Sequence, residues 1–397
     1  MLSTIAMIIL AIIVWLLVDL ALGRRQQQKN ASEKDMPLRH GDINFYAEGT
    51  DFFEDLFDAI EQAHDHIHIN FFIFRNDTIG KKTIARLKRK ASQGVEIRIL
   101  VDFIGSLKFP KKKRKELESH GIQFAASQKP RLPYLFYSLN KRNHRKITVI
   151  DGRLGFVGGF NVGDEYLGKK PELGDWRDYH LMVKEDGVQD LQFQFLIDWK
   201  EATGEKVEGK SYYPKLEKGP VAFRLFPTDG AYLEKHFLNL IHGAKKSIVI
   251  GSPYYIPGRK VQQALLDARK RGVSVKLLMP LKKDHPLVHE AAVPYFSPLL
   301  KAGCEIFLFY QGFYHAKVMI IDEQICDIGT ANLDRRSFTF NSEINCYIYN
   351  DDIITTVLSA LDRDFRRSDK LTLEALKGRR LGDRIRERAA SSISGLL

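Results

Sequence analysis

Three observations predict an α/β fold made of two pseudo-symmetric halves. Strand-like and helical stretches alternate along the chain, their order repeats once, and a histidine-centred pattern recurs at the same place in each copy. Each half is expected to be a mixed, mostly parallel sheet flanked by helices, with a transmembrane helix ahead of both.

In the first half, Asp51 to Ala63 has helical periodicity and leads into an apolar strand-like run, Ile67 to Phe74. A basic helix follows from Lys81 to Gln93, and Gly94 turns the chain into a second strand, Val95 to Val101. The second half repeats this order. Tyr232 to His242 matches the first helix, Ser247 to Gly251 opens the strand, Arg259 to Arg271 is the next helix, and Gly272 leads into Val273 to Met279. The runs after Gly94 and Gly272 align without a gap. Duplication of this kind places a functional site between the copies.

The chain has 397 residues, enough for two ordinary domains, and its 44% hydrophobic content supports a packed core. Its formal charge of +12 favours polyanions, either nucleic acid or an anionic bilayer. From Met1 to Gly23 the only charged side chain is Asp19. That run is long enough to cross a hydrocarbon layer of roughly 30 Å as a helix. No positive residue precedes it, whereas Arg24, Arg25 and Lys29 follow. These flanks predict an uncleaved anchor with the body in the cytoplasm; a cleaved signal peptide is the other reading and would put the body outside. The expected divisions are an anchor at 1–23, a linker at 24–40, halves at 41–215 and 216–370, and an amphipathic tail at 371–397. Cys304, Cys326 and Cys346 have no metal-ligand spacing and read as reduced thiols. No metal site is expected.

The repeated pattern carries the chemistry. His144, Lys146, Asp151, Gly158 and Asn161 match His315, Lys317, Asp322, Gly329 and Asn332 at identical offsets. Ile147 to Ile150 and Val318 to Ile321 are strand-like, so each His and Lys share a face. A phosphodiester is anionic, and its charge must be neutralised before a nucleophile attacks. Lysines supply point charges and asparagine amides supply donors. A neutral imidazole can attack phosphorus, and a protonated second imidazole can supply the departing alcohol with a proton.

This pattern resembles the phospholipase D superfamily, whose signature is two copies of H-x-K-x4-D followed by G-G/S-x-N. The resemblance spans nearly the whole chain after the anchor, and it implies one metal-free active site where the two motifs meet. Gly159 and Thr330 fill the small-residue step, with Thr330 keeping a hydroxyl in place of the commoner Gly or Ser. By resemblance His144 is the nucleophile and His315 the general acid/base, an order that the symmetric sequence does not itself settle. His144, Lys146, Asp151, His315, Lys317 and Asp322 form the catalytic motif set, although Asp151 and Asp322 read as turn braces rather than phosphate ligands. Asn161, Asn332, Gly159 and Thr330 support the phosphate. The family also implies a carboxylate a few tens of residues after each histidine to orient it, which makes Asp178 and Glu343 the candidates.

Several stretches resemble bacterial cardiolipin synthases in particular. They are Phe72 to Gly80, Phe156 to Gly168, Trp176 to Asp178, Ser252 to Pro257, Asp284 to Val288, Gly312 to His315 and the tail from Ser391. Many members carry two N-terminal membrane helices, whereas this chain has one. The resemblance implies transfer of a phosphatidyl group from one phosphatidylglycerol to another through a phosphohistidine, at the cell membrane and without a cofactor. The expected partners are phosphatidylglycerol and an anionic membrane, with no nucleic acid; the oligomeric state is not readable. A hydrolytic phospholipase D shares every motif residue, a nuclease fits the charge, and a membrane tether without activity is the non-enzymatic alternative.

Three further stretches bear on the membrane. Lys108 and the run Lys111, Lys112, Lys113, Arg114 and Lys115 form a basic cluster that suits anionic headgroups or a solvated helix start. Tyr134, Leu135, Phe136 and Tyr137 read equally as a lipid-facing lip and as buried core. Leu371 to Arg388 mixes leucines with arginines, which suits an interfacial helix or packing on the body.

Overall fold

The computed structural model describes residues 2–34, 36–285, 287–378, 381–392 and 394–395. Fifteen strands form one continuous sheet. In the first half these are β1 (Arg39–Tyr46), β2 (His66–Phe71), β3 (Glu96–Asp102), β4 (Gln123–Ser127), β5 (Ile147–Ile150), β6 (Leu154–Gly158) and β7 (His180–Glu185). In the second they are β8 (Val221–Asp229), β9 (Ser247–Gly251), β10 (Ser274–Pro280), β11 (Glu305–Phe309), β12 (Val318–Ile321), β13 (Ile325–Gly329) and β14 (Ser342–Ile348), with β15 (Ser368–Lys370) at the edge. Across the sheet the order is β15-β11-β10-β9-β12-β13-β14-β8-β1-β7-β6-β5-β2-β3-β4. Each strand of the first half therefore has its counterpart seven later, mirrored about the antiparallel β1–β8 junction.

The two halves, each with helices on a mixed sheet, are as expected from the sequence, but the parallel share is smaller than expected. Within the fifteen-stranded sheet only β2–β3–β4 and β9–β10–β11 run parallel, and its remaining pairings are antiparallel. The physical reason lies in the motif strands. Three residues of tight turn follow β5 and three follow β12, so each hairpins onto its neighbour instead of crossing over. Parallel pairing survives where a helix makes the crossover, at Thr78–Ser92 and at Gly258–Lys270. Each of these helices ends at a glycine, Gly94 with φ +90° and Gly272 with φ +88°, a left-handed turn that costs glycine little.

Amphipathic helices cover the sheet. Gly49–Gln62 buries Phe52, Phe53, Leu56, Phe57 and Ile60, the one-face spacing of a 3.6-residue helix. One core cluster lies within each half, and a third joins them. The third contains Ile43, Val149 and Leu181 of the first half with Leu225, Ile320 and Ile344 of the second. The seam is packed interior, which makes it a rigid place to assemble a site.

The N-terminal helix runs Leu2–Asn30, past the expected anchor boundary at residue 23 and into the expected linker. Ser3–Asn30 is long and apolar enough to cross a membrane, and its apolar side chains point outward. Its inner end is docked. Asp19 accepts a hydrogen bond from the Tyr137 amide at 2.7 Å, and Gly23 lies so close that a Cβ there would meet the Tyr137 ring at 2.4 Å. Residues 134–137 therefore form the seat of this helix: Tyr137 is buried, and Tyr134, Leu135 and Phe136 are half-buried. In the basic cluster, Lys113 pairs with Glu116 and Arg114 with Glu118, while Lys108, Lys111, Lys112 and Lys115 are exposed. The tail forms helices Leu373–Lys377 and Leu381–Ser392, and Ala390 is buried against Ile256 and Ala291 of the body. The side chains of Leu381 and Ile385 lie outside the described residues, as do Ile393, Leu396 and Leu397.

Candidate active site

His144 and His315 enter their strands from the two sides of the seam. The backbone amide of His144 donates to Ser342 O at 2.9 Å, and that of His315 donates to Arg177 O at 2.7 Å. Residues 312–314 pair in parallel with 175–177, while Asn143 bridges Ser342. Each histidine is thus stitched to the opposite half before its side chain makes any contact.

The side chains cross as well. His144 Nδ1 lies 2.9 and 3.1 Å from the carboxylate oxygens of Glu343, and His315 Nδ1 lies 2.5 Å from Asp178 Oδ2. Each carboxylate does follow a histidine by a few tens of residues, yet it serves the histidine of the other half. An ionised carboxylate only accepts, so each Nδ1 carries the proton and each Nε2 keeps a lone pair. Both rings face a cavity of about 470 Å³ whose lining includes His144, His315, Asn161 and Asn332.

The carboxylates are themselves held differently. Glu343 accepts from Thr330 Oγ1 at 2.6 Å, Ser337 Oγ at 3.0 Å and Asn341 Nδ2 at 3.1 Å. Asp178 accepts from the Tyr179 amide at 2.9 Å and lies 3.6 Å from Lys317 Nζ. At Gly159, the counterpart of Thr330, a Cβ would stand 1.8 Å from Asp178 Oδ1. The small-residue step therefore does opposite things: in one half it leaves room for the carboxylate, in the other it supplies a hydroxyl to it. Asn161 accepts from the Ile73 amide at 3.0 Å, and Asn332 donates to Asp334 at 3.1 Å.

Lys146 donates to the His144 carbonyl at 2.7 Å, and Lys317 donates to the His315 carbonyl. Burial pulls Lys146 down to about 7, with Lys317 pushing the same way against Glu343 and Asp178. Burial also lowers Lys317 and His144. His315 is lowered to about 4, through burial and then the Lys317 charge, against the pull of Asp178 and Asp284. Asp178 and Glu343 resist burial and stay below the usual carboxylate range, because Lys317 and His315 surround the first and His144 and Lys146 the second. The site thus holds two neutral imidazoles between two carboxylates.

Asp151 and Asp322 lie away from the cavity. Asp151 accepts from the amides of His64, Asp65 and His66 at 2.8 to 2.9 Å, and Asp322 from those of Lys245, Lys246 and Ser247 at 2.6 to 2.8 Å. Both sit in left-handed turns after the motif strands and neither lines the cavity. They brace the turn in both halves.

Arg145, the middle residue of the first motif, was not singled out in the sequence. Alternation along the strand sends it away from the cavity, where it is fully buried. It donates to Asp198 at 2.6 Å, Asp229 at 2.5 Å, Thr228 O at 2.7 Å and Glu343 O at 3.0 Å. Its counterpart is Ala316. An arginine in an otherwise buried strand was the available signal, since such a charge needs partners inside.

Comparison with known proteins matches residues 56–179 and 237–367 to the family described as the cardiolipin synthase, PLD-like domain. The chain belongs to this family. It is 41% identical to the minor cardiolipin synthase ClsB of Bacillus subtilis, over 96% of both chains. It is 37% identical to cardiolipin synthase 2 of Staphylococcus epidermidis, over 90% of this chain and 74% of that one. Among solved structures, phosphatidylserine synthase of Haemophilus influenzae superposes with a TM-score of 0.71 at 15% identity, covering 94% of this chain and all of the other. At that identity the likeness concerns the fold.

Proposed function

We propose that this chain is a membrane-anchored phosphatidyltransferase that makes cardiolipin and glycerol from two molecules of phosphatidylglycerol. The observation that carries the reading is the crossed pair of histidine–carboxylate contacts facing one cavity, which offers a nucleophile and an acid/base on opposite sides of a phosphate. Membership of the family and the apolar N-terminal helix support the lipid substrate.

His144 Nε2 attacks phosphorus, the bond from phosphorus to the headgroup glycerol oxygen breaks, and His315 gives that oxygen a proton. The terminal hydroxyl of a second phosphatidylglycerol then passes its proton to His315 while its oxygen attacks, and the phosphorus–nitrogen bond breaks. One phosphodiester replaces another, so no nucleotide is consumed. A bound phosphodiester offsets the two lysine charges and raises the imidazoles, which readies His315 as the acid only when substrate is present. Water competes with the lipid alcohol and would yield phosphatidic acid, so synthesis depends on holding the acceptor at high effective concentration. Arg24, Arg25 and Lys29 after the anchor support a cytoplasmic body.

The test is lipid analysis after incubating the full-length protein with labelled phosphatidylglycerol in mixed micelles, beside His144→Ala and His315→Ala. Cardiolipin and glycerol are expected from the unsubstituted chain and neither from the variants. Phosphatidic acid without cardiolipin would make the chain a phospholipase, and no lipid product would overturn the reading.

A further inference from the structure

The cavity is not symmetric about its two histidines, and the asymmetry lies in the loops that follow corresponding strands. After β3, the first-half loop turns Ser106 inward, where its hydroxyl binds Phe72 O and the Phe74 amide at 3.0 Å each. After β10, the second-half loop instead brings Asp284 and His285 to the cavity wall. The Tyr254 hydroxyl donates to Asp284. The Asp284 carboxylate is partly exposed, and its charge reaches His315 and Lys317, opposing the effect of burial on both. It shares the wall of the cavity with His315.

The proposed chemistry assigns that wall a task. With His144 bonded to phosphorus, the alcohol leaves and enters opposite it, beside His315. Both alcohols are glycerol ends carrying free hydroxyls: first the departing headgroup, then the head of the incoming lipid. A wall that recognises them needs hydrogen-bond acceptors within the cavity rather than more positive charge.

We propose that Asp284, held by Tyr254, is the alcohol-recognition group of this site, accepting hydrogen bonds from the free hydroxyls of the glycerol head that leaves and of the one that enters. This deepens the transferase reading and rests on it. Trp176 lines the same cavity and packs against His315, with ring centres 4.8 Å apart and the planes tilted by 47°. Arg75 and Lys170 also line the cavity, close to Glu165, and offer positive charge to the phosphate of the incoming lipid. Glycerol is thereby distinguished from a simple alcohol by its additional hydroxyls, because a site built around such a bond rejects analogues that lack it.

The experiment incubates the full-length protein with unlabelled phosphatidylglycerol and two added isotopically labelled soluble alcohols, glycerol and 1-propanol, and reads the label that enters phosphatidylglycerol and phosphatidylpropanol. The unsubstituted chain is expected to favour glycerol, and Asp284→Ala to lower the glycerol-to-propanol ratio by about tenfold or more, the worth of one charge-assisted hydrogen bond. Asp284→Asn keeps an acceptor oxygen and recovers part of the ratio, whereas a merely structural role would lower both transfers together. Tyr254→Phe, which leaves the carboxylate in place, shifts the ratio less. If both alcohols are transferred and Asp284→Ala leaves their ratio unmoved, the assignment is overturned and the transferase reading stands. If no alcohol is transferred by the unsubstituted chain, the transferase reading fails and takes the assignment with it.

Discussion

The first half presents His144 to a carboxylate held by three side chains, whereas the second presents His315 to a carboxylate held by one amide and a lysine. The strands beneath are counterparts and the motif spacing is identical, so the contrast comes from what surrounds them. Thr330 faces Gly159, Arg145 faces Ala316, and the Asp284 loop faces the Ser106 loop. Duplication supplied two equal scaffolds; divergence at the edges of the strands gives their histidines unequal surroundings, and unequal surroundings suit one nucleophile and one acid/base.

The largest effects are expected where the comparison is broken outright. Asp178→Asn and Glu343→Gln each remove the charge that fixes an imidazole and should lower cardiolipin formation by about 10²- to 10⁴-fold, read as initial rate. Gly159→Thr should match them, because its side chain would occupy the place of the Asp178 carboxylate. The reverse exchange, Thr330→Gly, removes the hydroxyl that Glu343 accepts from, together with a methyl group, and should cost about tenfold. Equal losses from the two exchanges would show that the halves are interchangeable after all.

Stability offers a second contrast. Arg145→Ala leaves Asp198 buried without its cation and should destabilise the fold by about 3–5 kcal/mol, measured by thermal or denaturant unfolding. At the counterpart, Ala316→Ser should have a far smaller effect.

The pH dependence follows from Lys146. Burial holds it at about 7, and a bound phosphodiester raises it, so substrate binding takes up a proton. Binding is then strongest below about pH 7 and weakens above it, by at most about tenfold per pH unit. The KM for phosphatidylglycerol should rise accordingly, and Lys146→Arg, whose guanidinium does not titrate in this range, should flatten the rise. A KM that is flat from pH 7 to 9 in the unsubstituted chain would contradict this.

The smallest expected effect concerns the N-terminal helix, which docks on the segment leading to His144. Gly23→Leu should collide with Tyr137 and loosen that seat. Cardiolipin formation should fall several-fold while the protein still sediments with membranes; a proportionate loss of membrane association would place the defect in insertion instead.

Much of this was legible in the sequence because it depends on local periodicity. β5, β9 and β12 begin and end where the apolar runs do, and Gly94 and Gly272 mark the same turn twice. The motif histidines and asparagines line one cavity, and each motif lysine is buried two residues along the strand from its histidine, as the identical spacing requires. What was not legible depends on contacts between distant segments. The 199 residues between His144 and Glu343 carry no local sign of their pairing, and nothing in a motif says which half a carboxylate serves. The hairpins after β5 and β12 hid in turns too short to signal a reversal, so parallel pairing was overestimated. Arg145 looked like a spacer until alternation placed it beneath the site.

The unequal roles of the two histidines are tested most directly by locating the covalent intermediate. Full-length protein would be mixed with phosphatidylglycerol labelled in its phosphate, quenched within the first turnovers under alkaline denaturing conditions that preserve phosphohistidine, digested and mapped by mass spectrometry. The label is expected on His144, with more of it in His315→Ala if the first step still proceeds slowly there. Label on His315, or shared equally between the two, would contradict the division of labour drawn from their surroundings.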